Sequence, residues 1–208
     1  MKTVFFDFDK TLTKIDTLII FAIYVFIKTH KIHKLIAIIY AFILFRLKII
    51  KSHVFKQFYA KLVFGKLTSR KISNFSNQFL KKYFYLIKLD ESIKILKKNL
   101  ALGNKVYIVS SNFDLFLFPL ICQWQISGII ATQIETINGF ITGNIKGIPC
   151  NGMEKLKRVL EKFDIIAVKQ ADAYGDSEGD YDLLKFVKNG YLVKSQKFFS
   201  NYYFDKFK

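Results

Sequence analysis

The chain has 208 residues, 51% of them apolar and 17% aromatic, and its 33 Lys and Arg against 16 Asp and Glu give a formal net charge of +17. That length suits one domain, or one domain with an insertion, and the apolar share is ample for a packed core. Cys122 and Cys150 have no metal-type spacing and suggest reduced thiols of a cytosolic protein more than a disulfide framework.

The charge is unevenly placed. Residues 1–16 balance three lysines with three aspartates, and residues 90–208 hold 16 basic against 13 acidic side chains. Residues 17–89 hold 14 Lys and Arg and no acid at all. That segment must differ physically from the rest. The abundance of Lys, Ile, Phe and Asn over the whole chain is read as genome bias rather than function.

In chain order, Val4, Phe5 and Phe6 form an apolar run typical of a strand buried on both faces. Asp7 arrives too early for a signal peptide to precede it. Asp7 and Asp9 sit where the run ends, and along an extended strand they point to the same side. Two carboxylates so placed repel unless a cation lies between them or one is protonated. Next come the runs LIIFAIYVFI (18–27) and LIAIIYAFILF (35–45), then apolar residues with lysines at intervals to about residue 88. No proline interrupts them, which predicts several helices. From Asp90 the pattern changes. The stretch ESIKILKKNLALG predicts an amphipathic helix stopped by Gly103, and KVYIVSS a second buried strand. DLFLFPLICQW reads as helical, GIIATQIE as a third strand, and INGFITGNIKG as a hairpin turning at Asn138-Gly139. MEKLKRVLEKF is a helix, ADAYGD a strand, EGDYDLLKFV a helix and GYLV a final strand.

Strands alternating with helices imply an α/β fold, with a Rossmann-like parallel sheet covered by helices on both faces. The predicted division is a core of residues 1–15 and 89–208, interrupted by an inserted all-helical basic cap of residues 16–88 and carrying a small β-hairpin. The longest apolar runs, about 10 residues, are half of what a bilayer-spanning helix needs. Two readings of the cap remain: core helices of a small bundle, or a hairpin lying on an anionic membrane surface.

Ligands of a parallel α/β sheet bind beyond the carboxyl ends of its strands. Asp7 and Asp9 follow the first strand, Ser110, Ser111 and Asn112 the second, and Asp176 and Asp180 a later one, with Lys155 opening the helix between. Carboxylate ligands without His or Cys suit a hard cation such as Mg²⁺, which takes substrate phosphate oxygens as well. A hydroxyl, an ammonium and free backbone N–H groups suit the remaining phosphate oxygens.

The four stretches DFDKTLT, VYIVSSN, GMEKLKRVL and YGDSEGDYDLL, in this order, resemble the signature of the haloacid dehalogenase superfamily. The resemblance covers residues 1–16 and 90–193. The helical insertion after the first motif and the stretch NGFITGNIKG are similar to the phosphoserine-phosphatase-like branch with a helical cap. The apolar, basic cap also resembles phosphatidylglycerophosphatases of that branch. The resemblance implies a Mg²⁺-dependent phosphatase of a small phosphorylated metabolite, such as an amino-alcohol, amino acid or sugar-linked phosphate. Asp7 would be the nucleophile and Asp9 the general acid and base. The metal would be held by Asp7, the Asp9 carbonyl and Asp176. Ser110, Lys155, Ser111 and Asn112 would meet the phosphate, and Asp180 would orient Lys155 or a metal-bound water.

Asp16 stands where the family's phosphoserine enzymes carry a glutamate that meets the substrate amine. It reads either as that contact or as a helix N-cap. Lys10 and Asn112 depart from the small residues usual at their positions, which weakens strict phosphoserine specificity. The alternative readings are a membrane-associated lipid phosphatase and, from another class, a non-catalytic anion- or membrane-binding module. Nucleic acid is the least favoured partner, since no recognised module appears. The expected location is cytoplasmic, with peripheral contact on the inner membrane face as the alternative.

Overall fold

A computed structural model describes residues 1–194 and the backbone of 197–200. The predicted core range 89–208 therefore extends beyond the described residues. Six strands form the main sheet in the order β3-β2-β1-β6-β7-β8. They are β1 (Thr3–Phe6), β2 (Lys105–Phe113), β3 (Gly128–Thr132), β6 (Asp172–Gly175), β7 (Asn189–Lys194) and β8 (Lys197–Ser200). The first five run parallel, and β8 pairs antiparallel with β7 at the edge. β1 lies centrally, with Val4 in register with Val106 on one side and Asp172 on the other. Its residues Val4, Phe5 and Phe6 are fully buried, because helices cover both faces of a sheet joined by parallel crossovers.

One face is covered by α8 (Met153–Lys162), α9 (Ile165–Lys169) and α10 (Tyr181–Phe186), around Phe5, Val109, Leu156 and Leu184. The opposite apolar cluster joins Val4, Phe6 and Ile108 to the helical segment without interruption. That segment contains α1 (Thr17–Lys28), α2 (Leu35–Arg46), α3 (Ser52–Tyr59), a π-helical turn at Ala60–Phe64 and α4 (Ser69–Ile87); α5 (Asp90–Ala101) follows it. Aromatic rings bridge the two parts. Phe21 of α1 lies 4.5 Å from Phe116, and Tyr59 of α3 lies 5.4 Å from Phe113, between ring centroids. The chain leaves and re-enters the sheet side by side, where Lys14 N donates to the Ile87 carbonyl and Leu89 N to that of Leu12.

The predicted strand GIIATQIE is two strands. β3 ends at Thr132, and Ile134–Ile137 (β4) pairs with Phe140–Ile145 (β5) as a separate hairpin. No Gly, Pro, Asn or Asp falls between Ala131 and Ile137, so no turn signal marks the change of sheet. Asn138 and Gly139 turn the hairpin with φ of 49° and 79°, as the Asn-Gly pair predicts. The hairpin reaches the helical segment, where Gln57 donates to the Gly143 carbonyl at 2.8 Å. DLFLFPLICQW is likewise two short helices, α6 (Asp114–Leu117) and α7 (Pro119–Trp124), since proline cannot continue the first. The bundle reading of the cap is only half met: of α2 just Ile38 and Ala41 are buried. Among the described residues no helix is long and apolar enough to cross a membrane.

Candidate active site

The carboxyl ends of β1, β2 and β6 meet at one edge of the sheet, beneath α2 and α3. A cleft of about 600 Å³ opens there, lined by Asp7, Asp9, Ser111, Lys155 and Asp176 from the sheet side and Lys56 from α3. Each side chain is delivered by a local feature. Asp7 follows β1 directly, with its N–H still bonded to the Tyr174 carbonyl at 2.8 Å. The chain then turns through Lys10, whose φ is 59°, closed by bonds from Leu12 N and Thr13 N to the Phe8 carbonyl.

That turn separates the two aspartates expected to crowd each other. Asp7 faces Lys155 Nζ at 3.0 Å, whereas Asp9 turns to the start of α1. There Asp9 Oδ1 accepts from Thr17 N at 2.8 Å and Thr17 Oγ1 at 2.6 Å, and Oδ2 accepts from the Asn112 amide at 2.8 Å. Asp16 is the N-cap of α1, accepting from Leu18 N at 3.1 Å, and it also lines the cleft.

A bulge in β2 removes Ser111 and Asn112 from the ladder between the pairs Ser110–Ala131 and Phe113–Thr132. Bulges re-aim side chains, often beside active sites. Ser111 reaches the cleft wall, while Ser110 is buried with its hydroxyl accepting from Asn112 N at 3.2 Å. The Asn112 amide is engaged by Asp9 and by Thr17 Oγ1, so a phosphate contact would have to share it.

Lys155 occupies the first turn of α8 and is 2% exposed, with Asp7 on one side and Asp180 on the other. Burial opposes its charge, but the carboxylates of Asp180 and Asp7 outweigh burial and hold the ammonium above the ordinary lysine range. Asp180 closes a capping box with Ser177, its Oδ2 accepting from Asp176 N, Ser177 N and Ser177 Oγ at 3.0 to 3.1 Å. Gly175 makes this possible, since a Cβ there would lie 2.5 Å from Asp180 Cβ and Cγ.

Carboxylate oxygens of Asp7, Asp176 and Asp180 lie within 4.8 Å of one another. They are not equivalent. Asp180 is saturated by Lys155 and the capping box. Asp7 Oδ2 accepts a long bond from the Thr11 hydroxyl, at 3.5 Å, and among the described residues the Asp176 carboxylate has no hydrogen-bond donor. Asp7 and Asp176 are thus the oxygens left for a cation, and an all-oxygen set fits Mg²⁺.

Burial opposes the charge of these carboxylates and of Asp9. Burial first, then the Asp180 charge, pushes Asp7 up to about 6 against the pull of Lys155. Burial, then Asp16, raises Asp9 to about 7, and burial with Asp7 and Asp180 raises Asp176 to about 8. All three bind protons more tightly folded than unfolded, so their contribution to stability is full below pH 4 and is lost as pH rises through about 8. Half-buried Asp114, raised by desolvation to about 6, adds to the same trend outside the cleft. We expect the chelator-treated protein to melt several degrees lower at pH 8 than at pH 5.5, with Mg²⁺ restoring most of the difference. A melting temperature flat across this range in chelator would contradict that assignment.

Two residues escape the sequence reading. Thr17, buried at the start of α1, holds the Asp9 carboxylate through its N–H and hydroxyl. Lys56 sits on the buried face of α3 between Phe55 and Tyr59, donates to the Ser111 carbonyl and lies 5.7 Å from the Phe113 ring centroid. Burial lowers it to about 8, against the pull of Asp16 and Asp9. A lysine on the apolar side of SHVFKQFY was its one available signal.

The family model of haloacid dehalogenase-like hydrolases matches residues 4–185. This chain belongs to that family. Its fold is similar to a protein with unknown function from Bordetella pertussis Tohama I, with TM-score 0.74, 18% identity, and 89% of this chain and 86% of that one covered. A phosphoserine phosphohydrolase-like protein from Francisella tularensis SCHU S4 matches with TM-score 0.64 and 21% identity over 94% and 88%. A substrate-bound phosphoserine phosphatase complex matches with TM-score 0.60 and 18% identity over 89% and 82%. No curated protein matches this sequence. As a hydrolase of this family, the chain has the fold of the phosphoserine phosphatases.

Proposed function

We propose that the protein is a Mg²⁺-dependent phosphomonoesterase acting on a small phosphorylated metabolite through an aspartyl-phosphate. The observation that carries this reading is the pairing of Asp7, at 3.0 Å from the buried Lys155 ammonium, with an Asp176 carboxylate that has no hydrogen-bond donor among the described residues, in a cleft that Lys56 also lines. Lys155 keeps Asp7 ionised in a site where burial alone would protonate it. Mg²⁺, held by Asp7, the Asp9 carbonyl and Asp176, would supply charge that offsets the repulsion between carboxylate and phosphate.

An Asp7 oxygen attacks phosphorus as the bond to the substrate oxygen breaks, and Asp9 gives its proton to that leaving oxygen. Burial raises its pKa to about 7, so near neutral pH Asp9 can both give and take the proton. Water then attacks the aspartyl-phosphate, Asp9 takes back a proton, and inorganic phosphate leaves. Asn112 and Thr17 hold Asp9 in place for both steps. Lys155, with Ser110 and Ser111, meets the phosphate oxygens, and Asp180 fixes Lys155. We divide the chain into a cap of residues 16–88 and a core of residues 1–15 and 89–208.

Lys56 extends the reading to substrate choice. A lysine between phosphate and cap suits a second anionic group, and Asp16 beside it suits an amine. Lys56→Met is expected to raise KM about tenfold with kcat nearly intact, and to leave the melting temperature unchanged or higher. In the wild type KM should also climb above pH 8, as Lys56 loses its proton, and this climb should vanish in Lys56→Met. An unchanged KM would remove Lys56 from the substrate site.

The test of the whole reading is phosphate release from phosphoserine, phosphorylated amino-alcohols, sugar phosphates and detergent-dispersed phosphatidylglycerophosphate, with Mg²⁺ or with chelator. Turnover of one substrate in Mg²⁺ and none in chelator is expected. No release from any of them, together with no stabilisation by beryllium fluoride and Mg²⁺, would overturn it.

A further inference from the structure

A helix that is apolar on all sides belongs in an interior, yet α2 lies at the surface. Its sequence LIAIIYAFILFR has no charge before Arg46. Only Ile38 and Ala41 are buried. On the outer side Ile36 is 80% exposed, Tyr40 62%, Ile43 49% and Leu47 64%. With Ile32 and Ile39 these fall three or four residues apart, so they form one stripe along the helix rather than scattered contacts. An apolar stripe of this extent marks a surface that has a partner.

The charges around it indicate which partner. Lys31 and Lys34 precede α2, Arg46 ends it, and Lys48 and Lys51 follow, so the stripe has cationic groups at both ends. The segment 17–89 has no acidic residue to repel an anionic surface. An apolar stripe framed by lysines, on a helix of 12 residues too short to span, matches a bilayer interface: side chains enter the acyl boundary and the ends meet anionic headgroups.

We propose that α2 docks this protein on the surface of an anionic lipid bilayer, lying in the plane of the headgroups. Phe45, Arg46 and Lys48 at the end of α2 also line the cleft, so docking brings the cleft mouth to the lipid surface. The docking stands apart from the choice of substrate and from the hydrolytic reading itself.

The experiment is co-sedimentation of the full chain with vesicles of equal parts phosphatidylglycerol and phosphatidylcholine, and with phosphatidylcholine alone. Wild type is expected to pellet with the anionic vesicles, weakly with the neutral ones, and less as ionic strength rises. The double variant Ile36→Glu/Ile43→Glu changes two exposed residues outside the cleft. It should lose at least about tenfold in vesicle affinity while melting as the wild type does. Lys31→Glu/Lys34→Glu should lose the preference for anionic lipid. Equal binding of Ile36→Glu/Ile43→Glu and wild type would overturn the proposal, as would failure of wild type to bind either vesicle. A wild-type dimer in sedimentation velocity that ignores vesicles and dissolves in the double variant would also overturn it, assigning the stripe to a second copy.

Discussion

Asp7→Asn is expected to lose phosphate release by at least about 10⁴-fold while keeping its fold, because the amide cannot attack phosphorus and nothing else in the cleft replaces it. The fold survives for a local reason. Asp7 is held by its backbone bond to Tyr174, and Lys155 retains Asp180 as a partner. Removing a buried carboxylate that burial already penalises should leave the metal-free variant at least as stable at pH 8 as the wild type. Two measurements separate chemistry from folding: circular dichroism on both proteins, and thermal stabilisation by beryllium fluoride with Mg²⁺. Wild type should gain stability with beryllium fluoride, and Asp7→Asn should not. Phosphate release by Asp7→Asn at the wild-type rate would remove Asp7 from the chemistry and with it the aspartyl-phosphate.

Lys155→Met should damage both activity and stability. It leaves Asp7 and Asp180 facing each other in a dry site without their shared cation. Breaking a buried charge cluster by removing one member costs about 3–5 kcal/mol, and loss of an oxygen-binding cation costs about 10³-fold in rate. The stability loss has a defined pH dependence. Without Lys155, the Asp7 pKa rises further above its unfolded value, since Lys155 is what pulls it down. A raised carboxyl stabilises the fold at low pH and ceases to do so as pH rises. The deficit of Lys155→Met should therefore shrink toward pH 5 and widen toward pH 8 in urea unfolding. A deficit independent of pH would show that Lys155 contributes packing rather than charge. Full activity in the variant would exclude it from phosphate binding.

Much of the core was legible in sequence because its signals are local. A strand buried on both faces must be a continuous apolar run, so Val4–Phe6 and Val106–Val109 announce themselves, as does the Asn138-Gly139 turn. The residues that end those strands follow by topology alone: in a parallel sheet every carboxyl end lies at the same edge. Asp7, Lys155, Asp176 and Asp180 are brought together there from positions up to 173 residues apart. The sheet boundary at Gln133 was not legible, because no Gly, Pro, Asn or Asp marks a turn there although the pairing partner changes.

Roles that depend on direction or solvent were not legible either. Asp7 and Asp9 share a strand-end pattern, but a left-handed turn at Lys10 sends one to Lys155 and the other to α1. The sequence of α3 gives Lys56 as one lysine among many, and only the packing of α3 over the β2 bulge makes it part of the cleft. α2 illustrates the same limit from the other side. Its composition reads as buried, and only the tertiary arrangement leaves one stripe uncovered. The sequence by itself determined the α/β class, the helical insertion with its excess charge, and the residues gathered at the sheet edge, since each follows from periodicity, composition or strand order. The tertiary structure decided which carboxylate faces which cation, which lysine enters the cleft and which apolar face meets solvent. Those depend on distances and burial between segments far apart in the chain, which no local pattern encodes.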